Sequence, residues 1–405
     1  MMAGAAPRGR NAAVEPPEET YETPRAGALE SLAAILAPSF GAPPEENLRW
    51  LEASPVDDLR VLRAGAETLA CLRLIPMGQF FGGRSVPMLG VAGVAVAPEH
   101  RGKGAGARLM RAAVRETRER GIALSTLYPA ALELYRGVGY ERAGALWEVR
   151  LSPDSIRLAE RELDVRRGGP EDEETVEELY RDCARLAPGH LDRHPYVWER
   201  VRGARQKTDT RLYLAEARGE PEGYLYLRQK PVRKGYELIV PDFQARTARA
   251  GRRLWTFLAD HRSLGREIVW NGSPHGGLFQ LLTGTAQKLQ LTDTWMLRVV
   301  DARAALEARG WPPGLDCTLE LELADELLPE NAGRLRARIR DGRAEVEPGG
   351  SGALRLDVRA LGALFGGFSD PEELRRAGLL EGDAVRIEAA RAAFAGPQPW
   401  MPDFY

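Results

Sequence analysis

The chain has 405 residues, which is enough for three domains of ordinary size. Its formal net charge of -2 argues against a nucleic-acid partner, and no segment approaches the roughly 18 apolar residues of a membrane span. The three cysteines, Cys71, Cys183 and Cys317, are far apart and odd in number, which favours a reducing cytoplasm over a disulfide framework. Residues 1–21 lack the apolar core of a signal peptide and predict a flexible tail.

The first predicted domain, residues 22–155, begins with two helices. Amphipathic patterns predict these helices over 31–40 and 44–53, and a strand with a turn follows over 66–83. The next strand is built from small residues and is stopped by Pro98. A further helix comes after it, with apolar pairs four residues apart on one face.

A glycine-rich loop joins that strand to that helix. The strand ends with Val94, Ala95 and Val96, and the loop contains Arg101, Gly102, Lys103, Gly104, Ala105, Gly106 and Ala107. A strand, loop and helix of this kind leave backbone N–H groups unpaired at the positive end of the helix dipole. Because glycines let a bulky anion approach the backbone closely, we expect a pyrophosphate to bind here.

Three kinds of phosphate-binding loop compete for this pattern. A Walker A loop fails, since Lys103 precedes Gly104 and no hydroxyl residue follows. A dinucleotide fingerprint would tolerate Gly102, Gly104 and Ala107, but it lacks a carboxylate about 20 residues further on. The spacing V-x-V-x-P-x-x-R-x-x-G-x-[GA] resembles motif A of the GCN5-related N-acetyltransferases (GNAT) and implies a coenzyme A site at the strand end and loop. A plain turn is the remaining alternative.

Later segments resemble one branch of that superfamily. The sequence LYRGVGY at 134–140 and the segment 291–311 are similar to the Eis-type (enhanced intracellular survival) acetyltransferases, which also end in an aromatic residue, here Tyr405. The likeness covers nearly the whole chain after the first two dozen residues. It implies an α/β (α+β) fold, with two tandem GNAT-like domains followed by a sterol-carrier-like α+β domain, and a homohexamer.

The second predicted domain, residues 156–297, repeats the plan of the first without its glycine-rich loop. Between Val240 and Leu254 the chain reads PDFQARTARAGRR, at the place where the first domain has its phosphate loop. A single glycine, Gly251, cannot supply the several points of close approach that a pyrophosphate needs. We therefore predict a degenerate half that adds scaffold and pocket wall.

The third predicted domain, residues 298–405, changes to the period-two alternation of an antiparallel sheet. Strands are predicted over 318–323, 334–339, 344–347 and 353–358, and helices follow them. The resemblance implies a sterol-carrier fold. Because an alternating sheet covered by helices is most often plain core, no lipid ligand is assigned.

Acyl transfer to an amine needs a base for the attacking nitrogen and an acid for the departing thiolate. By resemblance, Tyr135 is the general acid, the α-carboxylate of Tyr405 is the general base, and Ala130 and Ala131 contact the cofactor where the family has Ser-Glu. A phenol near pKa ~10 can protonate a thiolate of pKa ~8.5 at a cost of ~2 kcal/mol. The alternatives are a packed Tyr135 and an aromatic tail that only fastens the terminus to the surface.

Two classes of function remain. The leading hypothesis is an N-acetyltransferase that uses acetyl-CoA and acts on primary amines in a ternary complex, with aminoglycoside, polyamine or lysine-type acceptors implied by the resemblance. The rival is a non-catalytic scaffold that senses acyl-CoA or carries a lipid. An intact glycine loop together with Tyr135 favours the enzyme.

Two other groups of residues give weaker indications of function. His190 and His194 are four residues apart, but nearby prolines break any helix and no third ligand stands out, so no metal is expected. Ser273 lies near His275 without the G-x-S-x-G elbow of a hydrolase, which indicates a loop.

Overall fold

The computed structural model describes residues 18–25, 27–203, 208–282 and 287–405. The chain divides into two compact units, the first made of Met1–Arg73 with Gly93–Leu109 and the second of Leu74–Ala92 with Met110–Tyr405. These units cut across the three predicted domains, whose boundaries stay predictions.

The end of the predicted tail is a strand. Strand β1 (Glu19–Glu22) pairs antiparallel with β2 (Leu59–Ala64). The prediction of a flexible tail up to residue 21 is therefore wrong for residues 19–21, because main-chain hydrogen bonds hold them in a sheet. Residues 1–17 of that predicted tail lie outside the described residues.

The first unit encloses one apolar core. Besides β1 and β2 it contains α1 (Leu29–Phe40), α2 (Pro44–Glu52), the first part of β3 (Glu67–Phe81), the end of β4 (Arg84–Val96) and the start of α3 (Ala105–Glu119). Leu36 of α1, Leu51 of α2 and Val61 of β2 are buried together with Ala95 of β4. The two predicted helices are confirmed, and their apolar faces fix the end of the strand that leads into the glycine-rich loop.

The second unit contains one long mixed sheet. Its strands follow the order β4, β5, β13, β6, β12, β11, β10, β9, β7, and β8 pairs with β3. The remaining elements of this region are β5 (Leu124–Leu127), α4 (Leu132–Arg136), β6 (Glu141–Leu151), β7 (Asp164–Arg167), α5 (Glu173–Ala184), β8 (Leu191–Asp192), α6 (Pro195–Val201), β9 (Arg211–Ala217), β10 (Glu220–Val232), β11 (Gly235–Ala245), α7 (Ala248–Ala259), β12 (Gly265–Asn271) and β13 (Lys288–Val299).

Two strand–helix–strand units repeat within the chain. Strand β4 pairs in parallel with β5, and β11 pairs in parallel with β12, with a helix between the strands each time. The segment between Val240 and Leu254 stands where the first repeat has its glycine-rich loop, and it has a different form: β11 runs on to Ala245, and Thr247 caps α7 by accepting a hydrogen bond from the Ala250 amide. The second half therefore has a short capped turn where the first half has a glycine-rich loop.

Strand β13 belongs to the second half of the sequence but lies among the strands of the first half. Although it follows the second repeat, it lies between β5 and β6, pairing antiparallel with both. Strands β12 and β6 also pair, so the sheet runs without a break from one repeat to the other. The last strand of the second half thus completes the sheet of the first.

The C-terminal part is a five-stranded sheet with helices. Its order is β16 (Arg343–Pro348), β15 (Gly333–Arg340), β14 (Cys317–Ala324), β17 (Leu354–Asp357), β18 (Leu380–Glu381). Its helices are α8 (Ala302–Ala308), α9 (Val358–Phe365), α10 (Pro371–Arg376) and α11 (Ala384–Ala393). The alternating strands are confirmed, except that Val358 begins α9 instead of ending a strand. Among the described residues, no helix has the length and apolar character needed to cross a membrane.

Candidate active site

The strand before the glycine-rich loop packs one of its faces against the core of the first unit. Ala95 is buried in the core of the first unit, while Val94 and Val96 are only half-buried. Alternation along the strand turns these two valines away from that core. Gly93 has a positive φ of 61°, and a β-carbon there would come within 2.5 Å of the Trp50 ring. The strand end therefore presents two half-buried valines on the face away from that core.

The loop has the backbone form that an anion site requires. Gly102 and Gly104 are exposed and adopt left-handed φ angles of 73° and 79°, which other residues rarely adopt. The first regular hydrogen bond of α3 runs from the Arg108 amide to the Gly104 carbonyl at 3.1 Å. The amides of residues 105–107 thus have no acceptor within the helix, and they lie at the positive end of its dipole.

Two arginine side chains stabilise this loop, and one of them, Arg108, was not identified from the sequence. Arg108 donates to the Lys103 carbonyl at 2.8 Å and forms a two-pronged ion pair with Glu19 at 2.6 and 2.8 Å. Arg101 donates to the Ser39 hydroxyl at 3.0 Å and to the Val96 carbonyl at 3.3 Å. Glu19 belongs to the segment predicted as tail, so no local signal could have paired it with Arg108.

Tyr135 lies on the short helix α4 and is 4% exposed. Its ring meets that of Tyr140 edge-on, with centroids 6.3 Å apart. Burial raises the pKa of the Tyr135 phenol to about 12. Proton transfer to a thiolate of pKa ~8.5 then costs about 5 kcal/mol, more than the ~2 kcal/mol expected for an unperturbed phenol. Ala130 and Ala131, at the start of α4, are exposed.

The last residues of the chain run along the edge of β6. The Met401 amide donates to the Ala145 carbonyl at 3.1 Å, and the Ala145 amide donates to the Pro399 carbonyl at 3.3 Å. Further on, Asn271 donates to the Pro402 carbonyl at 2.9 Å. The tail is thus a paired and largely buried segment of the second unit.

Tyr405 sits in a fitted pocket of the second unit. Its side chain is 6% exposed, and its hydroxyl is 2.5 Å from the Thr126 hydroxyl on β5. A β-carbon at Gly90 would come within 2.8 Å of the Tyr405 ring, so the absence of a side chain there makes room for the last residue. The Tyr128 hydroxyl donates to the Asp403 carbonyl at 2.7 Å.

A buried ion-pair cluster, here called the tail clamp, holds the same segment. Arg193 Nη1 donates to Asp242 at 2.5 Å, its Nε donates to Asp403 at 3.0 Å, and its Nη2 lies 2.8 Å from the second Asp403 oxygen. All three side chains are at most 3% exposed. Burial opposes the charge of Arg193, but the two carboxylates outweigh it and raise the pKa of the guanidinium. Sequence inspection missed this cluster.

The histidines do not form a metal site with each other. His194 caps α6, whereas His190 is 3% exposed and packs edge-on against Trp400. Neither ring nitrogen of His190 has a hydrogen-bond partner among the residues that the structure describes. Burial, followed by the charge of Arg193, lowers the pKa of His190 to about 3, so the ring is neutral. It lines a cavity of about 240 Å³ that is large enough for water.

A different trio has metal-like spacing. Ligand atoms of Glu67, Glu99 and His100 lie within 4.8 Å of one another, and His100 Nε2 is 2.8 Å from Glu67. The glutamates are exposed, and an ordinary surface contact between an imidazole and a carboxylate explains the short distance. The expectation of an enzyme without a metal stays a prediction. Ser273 accepts a hydrogen bond from the His275 amide, as in a loop turn.

Three family models match successive stretches of the chain. Residues 20–143 match an acetyltransferase (GNAT) domain, residues 189–299 match another acetyltransferase (GNAT) domain, and residues 302–402 match a sterol carrier protein domain. Their order confirms the predicted fold class.

Several relatives span nearly the whole chain. A GCN5-related N-acetyltransferase from Anabaena variabilis is 33% identical, with a TM-score of 0.92 over 96% of this chain and 100% of that one. Another from Kribbella flavida is 30% identical, with a TM-score of 0.85 over 96% and 98%. N-acetyltransferase Eis from Mycobacterium tuberculosis is 28% identical over 391 residues, which cover 89% of this chain and 92% of that protein.

The chain therefore belongs to the GCN5-related N-acetyltransferases. Within them it is of the Eis type, since the likeness to N-acetyltransferase Eis runs through both GNAT domains and the sterol-carrier domain. It is an acyltransferase, of a class that uses acetyl-CoA as co-substrate.

Proposed function

We propose that this protein transfers the acetyl group of acetyl-CoA to a primary amine by direct attack in a ternary complex. The observation that carries the proposal is the exposed loop with left-handed Gly102 and Gly104 before the first turn of α3. Such a loop suits the pyrophosphate of coenzyme A, with Arg101 and Lys103 adding positive charge. The backbone of residues 94–96 would align the pantetheine arm and the acetyl carbonyl.

The reaction needs two proton transfers. The amine nitrogen attacks the thioester carbonyl, a C–N bond forms and the C–S bond breaks. We assign the ammonium proton to the α-carboxylate of Tyr405 and the proton for the departing thiolate to Tyr135. Support for the first assignment is the seating of the last residues, since a carboxylate brought into a buried site becomes a stronger base. Ala130 and Ala131 are exposed at the start of α4, free to touch the cofactor.

The division of labour follows the predicted domains. Residues 22–155 carry acetyl-CoA binding and catalysis, residues 156–297 form the degenerate half, and residues 298–405 form the sterol-carrier-like domain whose tail reaches the catalytic centre. The acceptors are aminoglycosides, polyamines or lysine-type amines, and the assembly is a homohexamer. Likeness to N-acetyltransferase Eis supports an amine acceptor, since that name states transfer of an acetyl group to nitrogen.

The test is a thiol-release assay with acetyl-CoA and a panel of amines. Kanamycin, spermidine and a lysine-containing peptide represent the three acceptor classes. We expect release of coenzyme A that depends on the amine, together with an acetylated product of the matching mass. Binding of acetyl-CoA without turnover on any amine would favour the non-catalytic scaffold instead.

A further inference from the structure

The second GNAT-like half has a feature that its missing phosphate loop does not explain. Strand β11 pairs with β12 as far as Val240, and two residues later Asp242 carries a buried carboxylate. That carboxylate accepts hydrogen bonds from Tyr224 at 2.7 Å and from Arg193 at 2.5 Å. The position corresponds in the repeat to the strand end that leads into the glycine loop of the first half.

We propose that Arg193 is a positioning residue: held by Asp242, it fixes Asp403 and so places the terminal carboxylate of Tyr405 for proton removal from the acceptor amine. This proposal rests on the proposed function. It gives the degenerate half a task in catalysis, because strand β11 supplies an anchor for the tail in place of a cofactor loop.

The geometry of the tail clamp makes it costly to separate Asp403 from Arg193. The planar guanidinium uses different edges for Asp242 and Asp403, and it lies 3.7 Å from the centroid of the Tyr180 ring and 4.6 Å from that of Trp198. If Asp403 left, a buried arginine would lose one of its two partners. Breaking a buried ion pair by removing one partner is strongly unfavourable.

The clamp is close enough to the terminus to restrain it. Asp403 is two residues before Tyr405, and two extended residues span at most about 7 Å. The segment is also held on either side of the clamp, by Asn271 at the Pro402 carbonyl and by Thr126 at the Tyr405 hydroxyl. Only Phe404 is substantially exposed, at 45%. The terminal carboxylate therefore belongs to a residue whose ring is held by a hydrogen bond and whose preceding backbone is held by two others.

Two substitutions weaken the clamp by different amounts. Asp403→Asn keeps the shape of the side chain but removes its charge, and Arg193→Lys keeps one charge but loses the fork that reads two carboxylates. The matched control is Asp383→Asn, which makes the same change at the N-cap of α11, where asparagine also caps well. Melting curves establish that each variant is folded.

The direct readout is carboxypeptidase Y digestion followed by intact mass. We expect the wild-type protein and Asp383→Asn to keep Tyr405, and Asp403→Asn to lose Tyr405 and Phe404. In undigested enzyme, kcat of Asp403→Asn should fall about 10- to 100-fold, because a base displaced by an ångström is poorly aimed. The Kd for acetyl-CoA should stay within about twofold of wild type, and Arg193→Lys should lie between wild type and Asp403→Asn.

The outcomes separate this proposal from the proposed function. A digestion-resistant Asp403→Asn tail overturns the clamp, whatever happens to kcat. A trimmed tail with wild-type kcat before digestion also overturns the positioning role and leaves a mere fastener. Deletion of Tyr405 alone tests the base: if the deletion variant turns over normally, the catalytic role of the terminus fails even though the tail is clamped.

Discussion

The two strand–helix–strand repeats share a plan and differ at one turn. Between β4 and α3 the chain uses left-handed glycines in an exposed loop, whereas between β11 and α7 it uses a turn capped by Thr247. The first form leaves amides unpaired for a ligand, and the second satisfies one of them internally. The comparison teaches that a repeated scaffold can keep its sheet while it changes the form of one turn, and that the corresponding strand end can take another partner, here Arg193.

The largest effect is expected on acetyl-CoA affinity, from a negative charge placed in the glycine-rich loop of the first repeat. Gly104→Asp puts a carboxylate where we propose that the pyrophosphate of acetyl-CoA binds, and at a φ of 79° the substitution is also strained. We expect the affinity for acetyl-CoA to fall at least about 100-fold in calorimetry. The matched control is Gly251→Asp in α7, where a β-carbon meets only ordinary van der Waals contact, 3.5 Å from Ala245. An equal loss in both variants would mean that the two turns do not differ as we infer.

The second largest effect concerns the terminus. Adding one glycine after Tyr405, or deleting Tyr405, should lower kcat about 100-fold or more, because the carboxylate is displaced or lost. Acetyl-CoA should still bind, since the loop of the first half is unchanged. The control is a tag at the other end of the chain, ahead of residue 18. Full activity of a C-terminally tagged enzyme would rule out the base.

The third effect is on the acid. Tyr135→Phe should lower the chemical rate about 10- to 100-fold with little change in acetyl-CoA affinity, since only the proton is removed. Tyr140→Phe is the matched control: its hydroxyl donates to Ser125 at 2.7 Å, so it should lose stability and not the chemical step. Single-turnover kinetics separate the two, and an unchanged rate in Tyr135→Phe would make that ring a packing residue.

The smallest effect is on stability and depends on pH. The pKa of His190 is about 3 in the folded protein and about 6.5 in the unfolded chain. Below pH 6.5 the unfolded state therefore binds more protons, and the free energy of unfolding decreases as the pH is lowered. At pH 5 this one group removes about 2 kcal/mol of the free energy of unfolding. His190→Phe should therefore flatten the fall between pH 6.5 and pH 5 in denaturant titrations.

The histidine control is His261→Phe. The ring of His261 is 3.2 Å from the Tyr236 hydroxyl and is only partly buried, so a smaller change in the pH dependence is expected. If His190→Phe kept the wild-type slope, the buried ring would take up its proton at the same pH in the folded and unfolded states. In that case the second half would hold the tail by different electrostatics.

Much of the first half could be predicted from the sequence because its signals are local. Val94, Val96, Pro98 and the spaced glycines all lie between residues 94 and 106, and backbone sterics favour glycine at positive φ, as at Gly102 and Gly104. Alternating apolar residues likewise predicted the strands of the C-terminal sheet. Such patterns indicate the family, and the proposed cofactor loop, before any tertiary contact is known.

Only the tertiary structure decided how distant segments meet. Arg193 and Asp403 are 210 residues apart, and Tyr405 meets Thr126 over 279 residues. Strand β13 pairs Met296 with Leu127 of β5, which is 169 residues earlier, and Glu19 of the segment predicted as a tail forms an ion pair with Arg108. A charged residue alone in a sequence predicts exposure, and it becomes a buried anchor only when folding supplies opposite charges to offset its desolvation. Spacing along the chain determines which local conformations are possible, whereas burial and charge pairing across the fold determine what those residues do.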